Sequence, residues 1–330
     1  QEYRGIGAVQ AEPAEVREAL DLLHSAKRPL IIAGSAAAYN GSGKALQKLA
    51  EVTHLPVMTE GDARGLIPDD HEYSYGFYDH GLNRAARKLR EADVVMLLGR
   101  KQDVTISYAL PPTVSADAQV IQVDPDADEI GLNRGVRVGI AGDVDAVVSQ
   151  MADEAARLTW SDLPWLKELE AEREAQAEEF EPLAVPDSPM HALFVHKTLK
   201  EMLRPDDFLA FDGGDFCHYG RAVLEAQTAH GWMYFSPLGM LGGALPTAIA
   251  AQLAHPERRS VAIVGDGAFG FNAMELDTAV RHKVPIVVVL GNDAAWGIDY
   301  QIQLGLYGRP TAAELLPTRY DQVASGLGAH

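Results

Sequence analysis

Ser260-Val-Ala-Ile-Val264 runs without polar alternation straight into Gly265-Asp-Gly-Ala-Phe-Gly270. An apolar run of this kind reads as a strand buried on both faces, and the glycines stop it. Residues 272–282 then carry helical spacing, and a second apolar run, Pro285-Ile-Val-Val-Val-Leu290, ends in Gly291-Asn-Asp293. A strand, a helix and another buried strand make a right-handed parallel crossover. Upstream the pattern repeats. A helix over His191–Leu203 leads to strand Phe208-Leu-Ala-Phe211 and Asp212-Gly-Gly-Asp215. Helix 217–228, strand 232–235, the turn Ser236-Pro-Leu-Gly239 and a helix near 245–253 complete it. Residues 190–330 therefore read as one doubly wound domain.

The first half reads the same way. Helix Pro13–Ser25 places Val16, Ala19, Leu20 and Leu23 on one face. Strands follow at Pro29–Ala33, Leu55–Thr59, Asp93–Leu98, Gln119–Val123 and Val136–Ile140, with helices at Gly43–Thr53, Asn83–Glu91 and Val144–Leu158 and a turn-rich stretch over Glu60–Gly81. Residues 1–158 are a second domain of the same class. Between them, 159–189 holds an acidic helical run, Leu166–Glu181, and Pro182, Pro186 and Pro189, the composition of a linker. The fold class is α/β: two doubly wound parallel sheets joined by a helical, proline-containing linker.

Of 330 residues, 47% are hydrophobic and 23% charged, the balance of a globular protein, and no uninterrupted apolar run is long enough to span a membrane. The N-terminal stretch lacks the apolar core of a signal peptide, and the single cysteine, Cys217, has no internal disulfide partner, so a reducing cytoplasm is expected. The net charge of −19 and the lack of a basic run exclude a phosphate-backbone partner. An anionic ligand must then be held locally, by backbone N–H groups, a few basic residues or a metal.

Ligands of open parallel sheets bind at the carboxyl ends of the strands. Gly265–Gly270 fits G-x-G-x-x-G between a strand and a helix, and Asp293 stands near the place of that motif's acid, so an NAD or FAD site is one reading. Asp266 between the first two glycines argues against it, because a carboxylate there repels a pyrophosphate. A divalent cation turns the repulsion into a bridge. Mg²⁺ suits, since it takes few protein oxygens and completes its shell with phosphate. Asn292 can add an amide oxygen, and a backbone carbonyl near Ala294 another. The plain alternative is an aspartate capping a helix at a tight turn.

Gly265-Asp266-Gly267, with Asn292 at the end of the next strand, resembles the diphosphate-binding motif of thiamine diphosphate enzymes. Leu238-Gly-Met-Leu-Gly-Gly-Ala-Leu-Pro-Thr-Ala248 and Glu275-Leu-Asp-Thr-Ala279 resemble the segments around that motif in acetolactate synthases, benzaldehyde lyase and 2-hydroxyacyl-CoA lyases. Val123-Asp-Pro-Asp126 and Gly142-Asp143 resemble their central domain. The resemblance implies Mg²⁺ held by the side chains of Asp266 and Asn292 and the carbonyl of Ala294. It implies diphosphate contacts from Gly265, Gly267 and Ala268, and a second phosphate-side loop at Asp215, Phe216 and Cys217. Leu241, or its neighbour Met240, matches the apolar residue that bends thiamine. Trp296, His218 and His230 are candidates for the pocket wall. In the central domain Arg100, Asp124 and Asp143 are candidates for a site for ADP, CoA or FAD. Many relatives have two asparagines where this chain has Gly291-Asn292.

The same resemblance implies an N-terminal domain with a glutamate that protonates the cofactor. This chain starts after it and ends before the usual closing segment, so the catalytic residues are expected outside the chain and the chain alone is expected to be inactive. Asp212–Phe216, Gly291–Gly297 and Leu304–Gly308 are most similar to 2-hydroxyacyl-CoA lyases and oxalyl-CoA decarboxylases. The expected activity of the intact enzyme is carbon–carbon lysis or carboligation on a 2-hydroxyacyl-CoA or 2-keto acid, as a homodimer or homotetramer. An acetolactate synthase-like carboligase is the alternative, and a non-catalytic relic is the alternative of another class.

Overall fold

The computed structural model describes residues 7–234 and 239–330. Ser236, Pro237 and Leu238 of the predicted turn, and Phe235 before it, lie outside the described residues. Two compact units result: the residues up to Glu179 together with Glu225–His230, and Phe180–Leu224 together with those from Gly231 onward.

The first unit is built on six strands: β1 (Pro29–Ala33), β2 (Val57–Thr59), β3 (Ser74–Phe77), β4 (Val94–Leu98), β5 (Gln119–Asp124) and β6 (Val138–Ala141). Their order is β3-β2-β1-β4-β5-β6, every pair parallel. Strand periodicity sends alternate side chains to opposite faces. Ile31 and Ala33 of β1 pack with helices Pro13–Ser25, Gly43–Thr53 and Val144–Ala155. Leu30 and Ile32 point the other way, to Ala85, Ala86 and Leu89 and to Trp165 and Leu169. Both faces of β1 and β4 are therefore covered, and all five residues of each are buried.

Three features depart from the sequence reading. β3 lies inside the stretch read as turns, because Ser74-Tyr-Gly-Phe77 carries a glycine where an apolar run would show. The expected helix over Asn83–Glu91 is a 3₁₀ helix over Ala85–Glu91. The acidic run is a helix, Pro164–Phe180, that lies against the first sheet through Trp165 and Leu169, four residues apart on one face. Charged residues and alanines fill most of its other positions, which hid that short apolar stripe.

The second unit has four parallel strands, β7 (Phe208–Asp212), β8 (Trp232–Tyr234), β9 (Ser260–Gly265) and β10 (Ile286–Gly291), in the order β10-β9-β7-β8. Ala210, Ala262 and Val264 pack against Ala244, Leu245 and Ala248 of helix Ala244–Ala254, and against Phe269 and Leu276. The helix after β9 begins at Asp266, directly at the strand end, and runs to Asn272, with a separate helix over Glu275–His282. The sequence reading started one helix near Asn272. Among the described residues no helix is long and apolar enough to cross a membrane. Chain order reverses between β1 and β4 in the first sheet and between β7 and β9 in the second, and those are the places where an open parallel sheet offers a crevice.

Candidate functional site

At the second reversal lies a cleft of about 670 Å³. Its floor is made by two strand ends that approach without side chains. After β7, Gly213 takes a φ of +113°, and a Cβ there would stand 3.2 Å from the backbone N of Gly265 at the end of β9. The residue after β9, Asp266, is 1% exposed. Its Oδ1 accepts from the N–H of Gly267 at 2.9 Å, and its Oδ2 has no partner. Burial first, and then the neighbouring Asp293, push the Asp266 carboxyl up to about 6, while the N–H groups of Gly267 and Ala294 pull the other way.

Asp293 is the second acid of the cleft. Its Oδ1 accepts from Ala295 N–H at 3.2 Å. Its Oδ2 would lie 2.9 Å from a Cβ on Gly297, and Asp215 Oδ2 would lie 3.1 Å from the same point, so two carboxylates converge on a space that only glycine leaves open. Asp215 starts helix Asp215–Val223, and its carboxyl too is pushed above the usual range, by burial and then by Asp293. No group of three His, Cys, Asp or Glu side chains among the described residues forms a metal site unaided. A buried carboxylate oxygen with no partner beside another carboxylate is costly as it stands. The donor set fits a Mg²⁺ ion that takes few protein oxygens and finishes its shell with phosphate.

Asp266, Gly265, Gly267, Ala268, Asp215, Phe216, Leu241, Asn292 and Trp296 all line the cleft. The Trp296 ring lies over Gly267, where a Cβ would come within 2.5 Å of it. Phe216 lies over Gly291, whose missing side chain makes room for the ring. The Phe216 carbonyl accepts from His196 Nε2 at 2.7 Å, and burial lowers this histidine to about 4, so it is a neutral donor fastening the loop from behind. Leu241 faces the cleft, while Met240 does not line it. His218 is there too, 3.5 Å from the Tyr234 hydroxyl.

Four expectations are not met by the geometry. The Asn292 amide donates to the Thr318 carbonyl at 2.9 Å, and beyond the strand end it is the next residue, Asp293, that faces Asp266. Both residues border the cleft, but successive side chains of an extended segment point to opposite faces, so one position decides which of them faces Asp266. The Ala294 carbonyl accepts from Leu315 N–H at 2.7 Å in a bridge between Ala295 and Glu314, and it is Ala295 that lines the cleft. Cys217 turns into the core, where its S–H donates to the carbonyls of Asp212 at 2.9 Å and Ile263 at 3.1 Å, and burial pushes the thiol up to about 12. His230 belongs to the first unit.

Two residues that hold the site were not singled out from the sequence. Asp212, buried at the end of β7, accepts from Ala244 N–H at 3.0 Å and so anchors the segment carrying Leu241. Asn272 donates to the Gly242 carbonyl at 2.6 Å from the other side. The signal was an acid placed directly before two glycines.

Arg100, Asp124 and Asp143 stand at strand ends of the first unit, each already engaged. Arg100 pairs with Glu60 and Asp103, Asp124 accepts from Asp126 N–H at 3.0 Å, and Asp143 accepts from Val9 N–H at 2.7 Å.

Comparison with known proteins matches residues 16–151 to the family described as thiamine pyrophosphate enzyme, central domain. Residues 212–330 match thiamine pyrophosphate enzyme, C-terminal TPP binding domain. A probable acetolactate synthase of Mycobacterium bovis is 35% identical over 328 residues, covering 97% of this chain and 58% of that protein. Human 2-hydroxyacyl-CoA lyase 2 is 31% identical over 327 residues, covering 97% of this chain and 50% of that protein. Mouse 2-hydroxyacyl-CoA lyase 1 is 31% identical over 335 residues, covering 96% and 57%. The chain thus spans between half and three fifths of the length of these relatives.

Proposed function

The chain belongs to the thiamine pyrophosphate enzyme family, and from that premise we propose that its second unit holds thiamine diphosphate through a Mg²⁺ ion in the cleft at the ends of β7 and β9. The observation that carries this reading is the buried Asp266 carboxylate, with one oxygen unpartnered and Asp293 beside it. Asp266 and Asp293 are the side-chain ligands in this proposal, and Ala295 is the carbonyl candidate in place of Ala294. Gly265, Gly267 and Ala268 line the cleft where a diphosphate would lie, and Asp215 and Phe216 border it. Leu241, on the segment fixed by Asp212 and Asn272, would be the apolar support for the ring system.

When bound, the cofactor would supply a nucleophilic carbon and an electron sink for breaking or making a carbon–carbon bond. The protein's own work is to fix the diphosphate, orient the rings and exclude water. We assign the intact enzyme to carbon–carbon lysis of short 2-hydroxyacyl-CoA substrates, on the likeness of Asp212–Phe216 and Gly291–Gly297. Carboligation of 2-keto acids is the second reading, favoured by the higher identity to the acetolactate synthase.

Calorimetric titration of thiamine diphosphate into this chain, with and without Mg²⁺, tests the proposal. Saturable heat that needs the metal and vanishes in Asp266→Ala supports it. Absence of binding to the wild type in the presence of Mg²⁺ would sink it, and the dinucleotide reading of Gly265–Gly270 would then be the one to titrate.

A further inference from the structure

We infer that the first unit takes no nucleotide at its chain reversal, because the protein fills that crevice with its own Arg100. This goes beyond the reading of the second unit and does not depend on it. The expectation it replaces is a site for ADP, CoA or FAD, three ligands that share an adenosine diphosphate.

Such a site needs a gap between the turns that follow the two strands at the reversal, so that backbone N–H groups can approach a pyrophosphate. Here the two turns touch. Gly34, after β1, donates to the Leu98 carbonyl at 2.9 Å, and Ala36 N–H donates to the Gly99 carbonyl at 3.1 Å. A Cβ on Gly34 would stand 2.6 Å from the Gly99 oxygen and 2.7 Å from Arg100 Cδ. Gly99, after β4, has a φ of +55° and is pressed against the backbone of Ala37. The N–H groups that a pyrophosphate would use are spent on the neighbouring turn.

Arg100 then crosses over Gly34 and is 3% exposed. Its Nε lies 3.1 Å from Glu60 Oε2, at the end of β2. One terminal nitrogen donates to the Lys101 carbonyl at 2.6 Å and to Asp103 Oδ2 at 3.0 Å, and the other to Asp103 Oδ1 at 2.9 Å and to the Thr105 hydroxyl. The cation that could have gripped a phosphate is thus neutralised by two carboxylates, in the fork geometry it would offer a ligand. Lys101 is likewise committed, to Glu129 at 2.6 Å. Asp124 adds a further acid at the end of β5. A diphosphate entering here would meet more carboxylates than cations, and an Arg100 whose terminal nitrogens are spent on Lys101, Asp103 and Thr105 while its Nε, without a hydrogen bond, is held against Glu60.

The test titrates ADP, FAD and CoA separately into the full chain by calorimetry, and records the flavin absorbance of the protein as isolated. The expected result is no saturable heat at millimolar ligand and no flavin band. One-to-one binding of any of the three that is lost in Arg100→Ala overturns the inference, and so does a flavin that co-purifies. Thermal melts test the occupant's role. Arg100→Ala, and Glu60→Gln should the first fail to fold, are expected to lower Tm by several degrees, and an unchanged Tm in either folded variant would show that Arg100 is not what closes the crevice.

Discussion

The two sheets put the same architectural opportunity to opposite uses. In the first unit the turns after β1 and β4 touch, and the buried arginine at the reversal is answered by two carboxylates. In the second, the turns after β7 and β9 also approach through glycine, but the buried charge between them, Asp266, is left with a free oxygen and with other acids for company. One edge is complete without a ligand, and the other is in deficit until a cation arrives. The difference teaches that a doubly wound fold offers a crevice but does not decide its use. The pairing of buried charge decides it.

The change that should break the contrast most sharply is Asp266→Ala. Even an outer-shell partner of a metal ligand is worth roughly 10–100-fold in affinity, so loss of the carboxylate itself should weaken Mg²⁺-dependent thiamine diphosphate binding by more than about 100-fold in calorimetry. On the other edge, removing one partner of a buried ion pair costs about 3–5 kcal/mol, and Arg100→Ala should show this as a shifted denaturant midpoint at unchanged slope.

Acidity sharpens the comparison next. The Asp266 carboxyl titrates near 6, against an ordinary 3.8. A carboxyl raised by folding contributes its full share of stability below its unfolded value and loses it as pH rises through the folded one. Without a cation, the protein should therefore lose stability between about pH 4 and 6. Because a divalent ion competes with the proton for the same oxygens, the increase in Tm on adding Mg²⁺ should grow across that window. A Mg²⁺ effect that is flat from pH 5 to 7 would refute the assignment of Asp266. Asp293→Asn removes the neighbouring negative charge, so the midpoint of that growth should move to lower pH, with metal affinity down by about tenfold. The smallest effect is expected from Asn292→Ala. It gives up one exposed hydrogen bond to Thr318, worth about 1 kcal/mol of stability, and should change cofactor affinity by less than about threefold. A loss as large as that of Asp266→Ala would return Asn292 to the metal.

Most of the fold was legible because buried parallel strands write themselves as apolar runs stopped by glycine or aspartate. β1, β4, β7 and β9 are all of that kind; β10 carries the same apolar run but, as the edge strand, has no fully buried residue, so the buried strand expected there is not found. β3 was not, since Ser74-Tyr-Gly-Phe77 has neither the length nor the pattern. The helix Pro164–Phe180 was seen, but its attachment was not, because two apolar positions among many acids give too weak a stripe. At the site, Asp266 and its glycines were legible from spacing and charge. Which of Asn292 and Asp293 reaches Asp266 was not, because it depends on the face each presents after β10, a matter of a single position. The fate of Arg100 was equally hidden. A lone arginine after a strand looks the same whether it waits for a phosphate or is tied to Glu60, which lies far away in sequence and adjacent only once β2 stands beside β1.

Cys217 is the one cysteine of the chain, and its thiol sits against the carbonyls of Asp212 and Ile263, the latter inside β9. A reagent in solution can reach it only when helix Asp215–Val223 lifts from the sheet or the second unit opens further. Its labelling rate with a neutral disulfide reagent is therefore an intrinsic clock for opening of that unit, readable without any introduced probe. Slowing of the clock by Mg²⁺ and thiamine diphosphate together would report, at this one position, how far a filled cleft holds helix Asp215–Val223 against β7 and β9.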